Sequence, residues 1–263
     1  MTLKENISIH FTELTKTDKK ITSGLMKSPD ILIDRAIQDA AVDLEVSPSA
    51  IMRAVKKLGY KGLADFKNAL EEYKEDLSDN KKEVQETPLY QTVIESYQSN
   101  LLAISECIGE EQLKNIVELV KNSSTTRVLG IGSSGLSAEH LVYSLLYQGR
   151  YIEAVTSRTK IFYLGKSIQK NELSIIYTVS GNLSLYKELL QESKNVGAKV
   201  IIFTMSHDER LAKYADELVI LPLNLADFSR ENHLSQLDNR FAFLVFSEIL
   251  SKYIVEEMEM NNE

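Results

Sequence analysis

Five short apolar runs in the second half of the chain constrain its fold more than any other feature. They are rich in β-branched residues and show no polar–apolar alternation; in order they read RVLGIG, YIEAVT, LSIIYTVS, AKVIIFT and ELVILP. Strands buried on both faces of a parallel sheet have this pattern. Helical patterns lie between the runs, over residues 136–148 and 183–196, and each is followed by a glycine. The alternation predicts an α/β three-layer sandwich with a parallel sheet.

The first half of the chain is predicted to be all-α and to contain a helix-turn-helix. Two apolar stripes at helical spacing are separated by a turn of about three residues, which is typical of this motif. Ser47 is the expected N-cap of the second helix, Pro48 its first residue and Gly59 the residue after its end. The stripes consist of Ile37, Ala40, Ala41 and Leu44, and of Ile51, Ala54, Val55 and Leu58. Glu45 occupies the turn position where a residue tolerant of left-handed backbone is expected.

A charged segment separates the two halves. EEYKEDLSDNKKEVQETP has few large aliphatic residues and ends in a proline, as expected for a helix end followed by a solvated linker. We therefore expect a helix-turn-helix domain over residues 1–78, a linker over 79–87 and the α/β domain over 88–263.

The second helix of the motif is the candidate DNA-binding element. Residues 46–64 contain four basic residues and no acidic residue, although the whole chain has a formal net charge of −8. A helix with short polar groups at its start and cations behind them can enter the major groove of double-stranded DNA. A solvated helix face is the alternative. The candidate contacts are Ser47, Ser49, Met52, Arg53, Lys56, Lys57 and Lys61.

Two loops that follow predicted strands carry clusters of hydroxyl groups. Gly130, Gly132 and Gly135 surround Ser133 and Ser134 where the first strand gives way to a helix, a position that favours an anion. The loop after the third strand contains Thr178, Ser180, Gly181, Asn182 and Ser184. Both loops should meet at one sheet edge and bind one small polyol or phosphate. The glycines also match G-x-G-x-x-G, so a dinucleotide site with Glu153 as its ribose-binding acid is the alternative.

Both halves resemble known domains. LTKTDKKI and VSPSAIMRAVKKLGYKGLADFKNAL resemble the helix-turn-helix of RpiR-type transcription regulators. LGIGSSGLSAEHL, YTVSGNLSLYKELLQESKNVGAKVIIFT and LAKYADELVIL resemble the sugar isomerase (SIS) phosphosugar-binding domain. The resemblance covers residues 14–69 and 90–253, in the domain order of the RpiR-type regulators.

The resemblance implies a homodimeric or homotetrameric regulator of sugar-catabolism genes that binds a palindromic operator and responds to a phosphosugar. It places Ser133 and Ser134 in the first phosphosugar loop and Thr178 and Ser180 in the second. Leu183 stands where the family has a threonine, so a regulator whose ligand site has decayed is a further alternative. In the closing helix, Arg240 matches the family's arginine and Phe243 replaces a more polar residue.

A phosphosugar isomerase on the same fold is the alternative from another functional class. Such an enzyme needs a general base, for which Glu139, His140 and His233 are the candidates. His140 is expected to pack at the core boundary and His233 to lie on the surface. We therefore expect binding without catalysis.

Composition argues against several other classes of protein. No His, Cys, Asp and Glu residues have metal-ligand spacing, and neither a metal nor another cofactor is expected. A single cysteine, Cys107, cannot form an intramolecular disulfide, which suits a cytoplasmic location. The chain lacks both the apolar core of a signal peptide and a membrane-spanning run, so no membrane association is expected.

Overall fold

The chain folds into two compact units. The computed structural model describes residues 2–79, 88–225, 227–228 and 234–259. One unit comprises Met1–Ser96 and Leu223–Leu237, and the other comprises Tyr97–Pro222 and Asp238–Glu263. This division differs from the predicted boundaries because it groups a segment of the second half with the first. Residues 80–87, nearly all of the predicted linker, lie outside the described residues, so the linker stays a prediction.

Helices build the first unit, as the sequence predicts. They are α1 (Leu3–His10), α2 (Lys16–Lys27), α3 (Asp30–Ile33), α4 (Ile37–Asp43), α5 (Pro48–Lys57), α6 (Leu63–Asp79) and the first part of α7 (Leu89–Cys107). Their apolar side chains form one core, in which Ile7, Ile21, Ile51 and Leu70 are almost fully buried. α1 was not predicted; it begins with a capping box in which Thr2 and Glu5 bond each other's backbone N–H.

α4 and α5 form the predicted helix-turn-helix. Ser47 caps α5 by accepting a hydrogen bond from the backbone N–H of Ala50 at 3.2 Å, and Pro48 is the first helical residue. In the turn, the N–H of Val46 donates to the Ala41 carbonyl at 2.9 Å and that of Glu45 to the Val42 carbonyl at 3.0 Å. This pair of bonds is a Schellman motif, which requires a left-handed residue after the helix end. Glu45 takes that conformation, with φ at 52°.

The second unit contains a five-stranded parallel sheet. Its strands are β1 (Thr125–Leu129), β2 (Glu153–Val155), β3 (Glu172–Thr178), β4 (Lys199–Thr204) and β5 (Glu217–Ile220). They lie in the order β2-β1-β3-β4-β5, and every neighbouring pair is parallel. Each strand coincides with one of the five apolar runs, which confirms that part of the fold prediction.

Helices cover both faces of this sheet. They are α8 (Glu110–Lys121), α9 (Ser133–Leu146), α10 (Arg158–Ser167), α11 (Lys187–Val196) and α12 (Arg240–Glu259); the rest of α7 also belongs to this unit. α10 and α11 share a core with Leu129, Ile176 and Ile202. On the other face, the ring of Tyr177 packs edge-on against that of Phe243 of α12, with centroids 5.1 Å apart. The α/β three-layer sandwich is confirmed, and α10 is the one crossover helix that was not predicted.

Two short strands from late in the chain belong to the helical unit. β6 (Asp227–Phe228) and β7 (Leu234–Ser235) pair antiparallel, with Phe228 opposite Leu234. The side chain of Leu234 is buried in the core of the helices, and β7 packs against α2. The burial of this apolar side chain is why the segment groups with residues that lie far from it in sequence.

The strained turn before α5 generates a stability prediction. Glu45→Gly is expected to be more stable than Glu45→Ala by about 1 kcal/mol, because an L-residue pays roughly that much for left-handed backbone and glycine does not. Both variants lose the contact between the Glu45 carboxylate and Lys20 Nζ, which are 2.8 Å apart. The difference between their free energies of unfolding therefore reports the cost of the backbone conformation alone. Urea unfolding of the full chain measures this difference. A Glu45→Ala variant as stable as Glu45→Gly would contradict the left-handed assignment.

Candidate functional site

A crevice is expected at the carboxyl edge of the sheet, between the loops that follow β1 and β3. These strands are neighbours, and Leu129 lies opposite Ile176 close to the end of both. From β1 the chain crosses to β2 on one side, and from β3 it crosses to β4 on the other. Connections that leave in opposite directions open the crevice in which α/β sheets bind ligands. The two hydroxyl-bearing loops of the sequence analysis both begin here.

The loop after β1 is packed so tightly that it needs glycine. A Cβ atom on Gly130 would lie 2.4 Å from the carbonyl oxygen of Ser134, and Gly132 has φ at 63°. This geometry places Ser133 at the first position of α9, and the N-cap residue, Gly132, has no side chain with which to cap that helix end. Backbone N–H groups at an uncapped helix start, together with the helix dipole, attract an anion.

Hydroxyl groups lie on the first two turns of α9. Ser133 is half-buried, and Ser134 and Ser137 are buried. Among the described residues, none forms a hydrogen bond with Ser137 Oγ, although this atom is shielded from solvent. Buried polar atoms are normally hydrogen-bonded, so this hydroxyl has capacity for a water molecule or a ligand.

The loop after β3 begins at the carboxyl edge of the sheet, and two of its predicted residues form its own turn. Thr178 ends the strand and is buried, and Ser180 is half-buried. Asn182 Oδ1 accepts a hydrogen bond from the backbone N–H of Ser184 at 3.1 Å, which begins a short 3-10 turn. The half-buried side chain of Leu183 packs against the core shared by α10 and α11. Leu183 therefore fills apolar space at the position where the family has a hydroxyl.

A third hydroxyl-bearing loop follows β4 and was missed in the sequence analysis. Thr204 pairs in register with Thr178, and both residues are buried. Gly181 packs so closely on this loop that a Cβ atom there would lie 2.9 Å from that of Ser206. The sequence does contain a pattern that indicates this loop: Thr204 and Ser206 follow an apolar run, as Thr178 and Ser180 do in the second loop.

Two of the three candidate general bases lie in the described part of the chain, and each has a polar side chain as its neighbour. His140 Nε2 is 2.9 Å from Glu248 Oε1 of α12, so this ring packs between helices as expected. Glu139 is half-buried, and its carboxylate lies 3.4 Å from the hydroxyl of Thr156, the residue after β2. His233 lies outside the described residues. Within the described ranges, no group of His, Cys, Asp and Glu side chains is placed to hold a metal ion.

The acid of the dinucleotide alternative is at the wrong end of its strand. Glu153 is the first residue of β2, and its carboxylate accepts a hydrogen bond from Arg127 Nε at 3.2 Å. A ribose-binding acid must lie near the carboxyl end of the strand, close to the glycine loop. Thr156 and Ser157 stand there instead, which removes the main support for a dinucleotide site.

The exposed face of α5 carries most of the predicted DNA contacts. Ser49, Arg53 and Lys56 are exposed on the helix, and Lys61 is exposed in the turn after it. No described carboxylate forms an ion pair with Arg53 or Lys56. Met52 is half-buried, and the hydroxyl of Ser47 both caps the helix and lies 3.0 Å from that of Ser49.

Lys57 has a different environment from the other predicted DNA contacts. Its ammonium group donates a hydrogen bond to the buried Asp18 of α2 at 2.6 Å. Burial acts to raise the pKa of Asp18, but hydrogen bonds from Lys57 and Thr15 hold this pKa below its usual value. Lys57 is predicted to contact a DNA phosphate, which stays a prediction; in the structure it ties α5 to α2, because a buried carboxylate needs a partner.

Comparisons with known proteins agree with this architecture. A helix-turn-helix domain of the rpiR family matches residues 1–78, and the SIS domain matches residues 119–228. An uncharacterized HTH-type transcriptional regulator of Haemophilus influenzae is 22% identical over 219 residues, which cover 80% of this chain and 76% of that protein. The HTH-type transcriptional regulator RpiR of Escherichia coli K12 is 24% identical over 215 residues, covering 80% and 72%.

A solved structure shares the fold along nearly the whole chain. The Vibrio vulnificus NanR protein, complexed with ManNAc-6P, superposes with a TM-score of 0.58 at 16% sequence identity and covers 97% of this chain and 93% of its own. In the described part of this chain, no helix combines the length and hydropathy of a membrane span. The chain thus joins a helix-turn-helix domain of the rpiR family to a SIS domain, the combination expected of an RpiR-type transcriptional regulator.

Proposed function

We propose that this chain regulates transcription of sugar-catabolism genes by binding double-stranded DNA through α5, with an affinity that a bound phosphosugar changes. The observation that carries the proposal is the uncapped start of α9 beside the Thr178 loop, in a chain that also carries a helix-turn-helix. Neither feature alone distinguishes a regulator from an enzyme. Their combination favours a DNA-binding sensor that acts in the cytoplasm.

The crevice has the groups that a phosphosugar needs. The N–H groups at the start of α9 carry the equivalent of about half a positive charge, which favours a phosphate. Ser133, Ser134, Thr178 and Ser180 supply hydroxyls that can donate to phosphate oxygens or bond sugar hydroxyls. Gly181 sets the backbone of the second loop, while Asn182 and Ser184 contribute chiefly to its turn.

The DNA interface requires two copies of the chain. An α-helix about 10–12 Å across fits the major groove, which is about 12 Å wide. Two recognition helices about 34 Å apart would read successive grooves on one side of a palindromic operator. A homodimer or homotetramer provides this arrangement. A phosphosugar that changes the spacing of the helices would alter DNA affinity by about 5- to 150-fold, the usual range of allosteric coupling.

A sugar-phosphate isomerase is the second candidate function. Glu139 favours it, because a half-buried carboxylate two turns into α9 could serve as a general base. Its contact with Thr156 and the engagement of His140 with Glu248 favour binding without catalysis. Incubation of the purified chain with aldose and ketose phosphates separates the two functions. Interconversion that is lost in Glu139→Gln would establish the enzyme instead.

The phosphosugar site generates a prediction at Thr178. Thr178→Val keeps the shape of the side chain but removes its hydroxyl, and it is expected to weaken binding about 10- to 100-fold, since a hydrogen bond to a charged group contributes about 1.5–3 kcal/mol. Thermal-shift and calorimetric titrations with glucose 6-phosphate, fructose 6-phosphate and ribose 5-phosphate measure this change. A ligand at 100 times its Kd should stabilise the chain by about 2.7 kcal/mol.

The matched control is Ser167→Ala, which removes an exposed hydroxyl at the end of α10 and should leave sugar-phosphate affinity unchanged. Equal affinities of the Thr178→Val variant and the unmodified chain would contradict the site. If no sugar phosphate stabilises the unmodified chain, the decayed-site alternative suggested by Leu183 would replace the proposal.

The DNA-binding face generates a prediction that distinguishes three basic residues. Arg53→Ala is expected to weaken binding and relax sequence choice, at a cost of about 1–3 kcal/mol. Lys56→Ala should weaken binding to all sequences. It should also reduce the slope of log affinity against log salt concentration by about one, the amount expected for one lost phosphate contact. Lys57→Ala should chiefly lower the stability of the helical unit, because it leaves Asp18 buried without its cation.

Fluorescence anisotropy over a series of salt concentrations, with a duplex selected from a random pool by the full chain, measures the first two effects. Thermal unfolding measures the third. Lys27→Ala, an exposed lysine at the end of α2, is the control and should change neither quantity. Unchanged DNA binding by both Arg53→Ala and Lys56→Ala would contradict the assignment of α5 as the recognition helix.

A further inference from the structure

We infer that a segment made of the described residues of Leu223–Leu237, which include β6 and β7, transmits the phosphosugar signal to the recognition helix α5. The inference rests on the proposed function, because it assigns the route by which the two ligands influence each other. In the chain, this segment lies between β5 and α12 of the SIS unit, yet it packs as part of the helix-turn-helix unit. In this division of the chain, the segment leaves the sheet unit after β5 and returns to it before α12.

The segment is anchored in the helical unit by an apolar side chain. Leu234 is only 8% exposed and belongs to the same buried cluster as Ile21, Leu25 and Ile51. β7 packs against α2, and the antiparallel pairing with β6 holds the two strands together. Gln236 Nε2 donates to the carbonyl oxygen of Asn224 at 2.6 Å, which ties the two ends of the segment to each other. The segment is therefore expected to move as one body with α2.

α2 in turn holds α5 at both ends. Asp18 of α2 binds Lys57, in the last turn of α5, at 2.6 Å. Lys20 of α2 binds Glu45, in the turn before α5, at 2.8 Å. α2 also packs directly against α5. A shift of α2 would therefore reposition the recognition helix together with its turn.

Both ends of the segment continue into elements of the sheet unit. β5 is parallel to β4, so it ends at the same sheet edge as the hydroxyl loops, and Leu221 and Pro222 lead from it into the segment. The other end leads within three residues to α12, which packs along α9. There, Glu248 of α12 accepts a hydrogen bond from Ser144 of α9 at 2.6 Å and lies 2.9 Å from His140.

This connectivity supplies a physical route for coupling. A phosphosugar that draws in the start of α9 would displace α12, and the displacement would reach the segment through the backbone. Helix shifts of about 1–2 Å are common in allosteric transitions. Because α2 and the segment share one core, such a shift would be transferred by side-chain packing rather than lost in a flexible linker.

The test compares two substitutions in the same core. Leu234→Ala weakens the anchor, whereas the control Leu70→Ala removes a fully buried side chain of the same core that lies on α6. DNA affinity is measured by fluorescence anisotropy with the selected duplex. It is measured with and without whichever of glucose 6-phosphate, fructose 6-phosphate or ribose 5-phosphate stabilises the unmodified chain most. Circular dichroism establishes a temperature at which every variant is folded.

In the unmodified chain, the sugar phosphate is expected to change DNA affinity about 5- to 150-fold. In Leu234→Ala, the ratio of DNA affinities with and without the sugar phosphate should lie within about twofold of one. The affinity for the sugar phosphate itself, measured by calorimetry, should stay unchanged. Leu234→Met should restore the ratio, since methionine fills similar volume, and Leu70→Ala should retain it. If Leu234→Ala shows the same ratio of DNA affinities as the unmodified chain, the inference is overturned and the proposed function remains intact.

Hydrogen exchange of the unmodified chain provides a readout that does not depend on a variant that folds poorly. Addition of the sugar phosphate should change the protection of amides in α2 and in the β6 and β7 strands. A DNA affinity that responds to the sugar phosphate while these amides do not would overturn the inference. Absence of any sugar-phosphate or DNA binding would instead remove the proposed function, and with it the signal to be transmitted.

Discussion

The parallel pairing of β1 with β3 is the constraint on which the rest of the candidate site depends. Because these strands are neighbours but their connections lead toward opposite edges of the sheet, a crevice is expected between the loops that follow them. Gly130 then allows the chain to turn directly into α9, since any side chain there would strike the Ser134 carbonyl. The start of α9 and Thr178, the last residue of β3, thus lie at one edge of the sheet because of topology and packing.

The helix-turn-helix illustrates how local charge can oppose the average of the chain. A formal net charge of −8 disfavours contact with a phosphate backbone, yet Arg53 and Lys56 stand exposed on α5 without acidic partners among the described residues. Lys57, one residue further, turns to the buried Asp18 and stabilises the packing of α5 on α2. Neighbouring basic residues on one helix therefore have different roles, which depend on the face that each occupies.

Much of the fold could be predicted because short-range patterns specify it. The β-branched runs became the five strands, and Ser47, Pro48 and Gly59 begin and end α5 as their backbone chemistry requires. α10 was not predicted from its residues, although the connection from β2 to the parallel β3 is of a kind that usually contains a helix. β6 and β7 were missed because no local pattern shows that Leu234 belongs to the core of a distant unit. Similarly, only tertiary packing reveals that Lys57 faces Asp18 and that Thr204 lies beside Thr178.

The central claim is that one chain couples the binding of a phosphosugar to the binding of DNA, and reciprocity tests it most directly. The sugar phosphate that binds best is titrated calorimetrically into the free chain and into the chain saturated with the selected duplex. The two titrations give two dissociation constants for the sugar phosphate. Their ratio should equal the ratio of duplex affinities measured with and without the same sugar phosphate, because linkage requires one coupling free energy for both ligands. A sugar-phosphate affinity that is identical in the presence and absence of DNA would contradict the account.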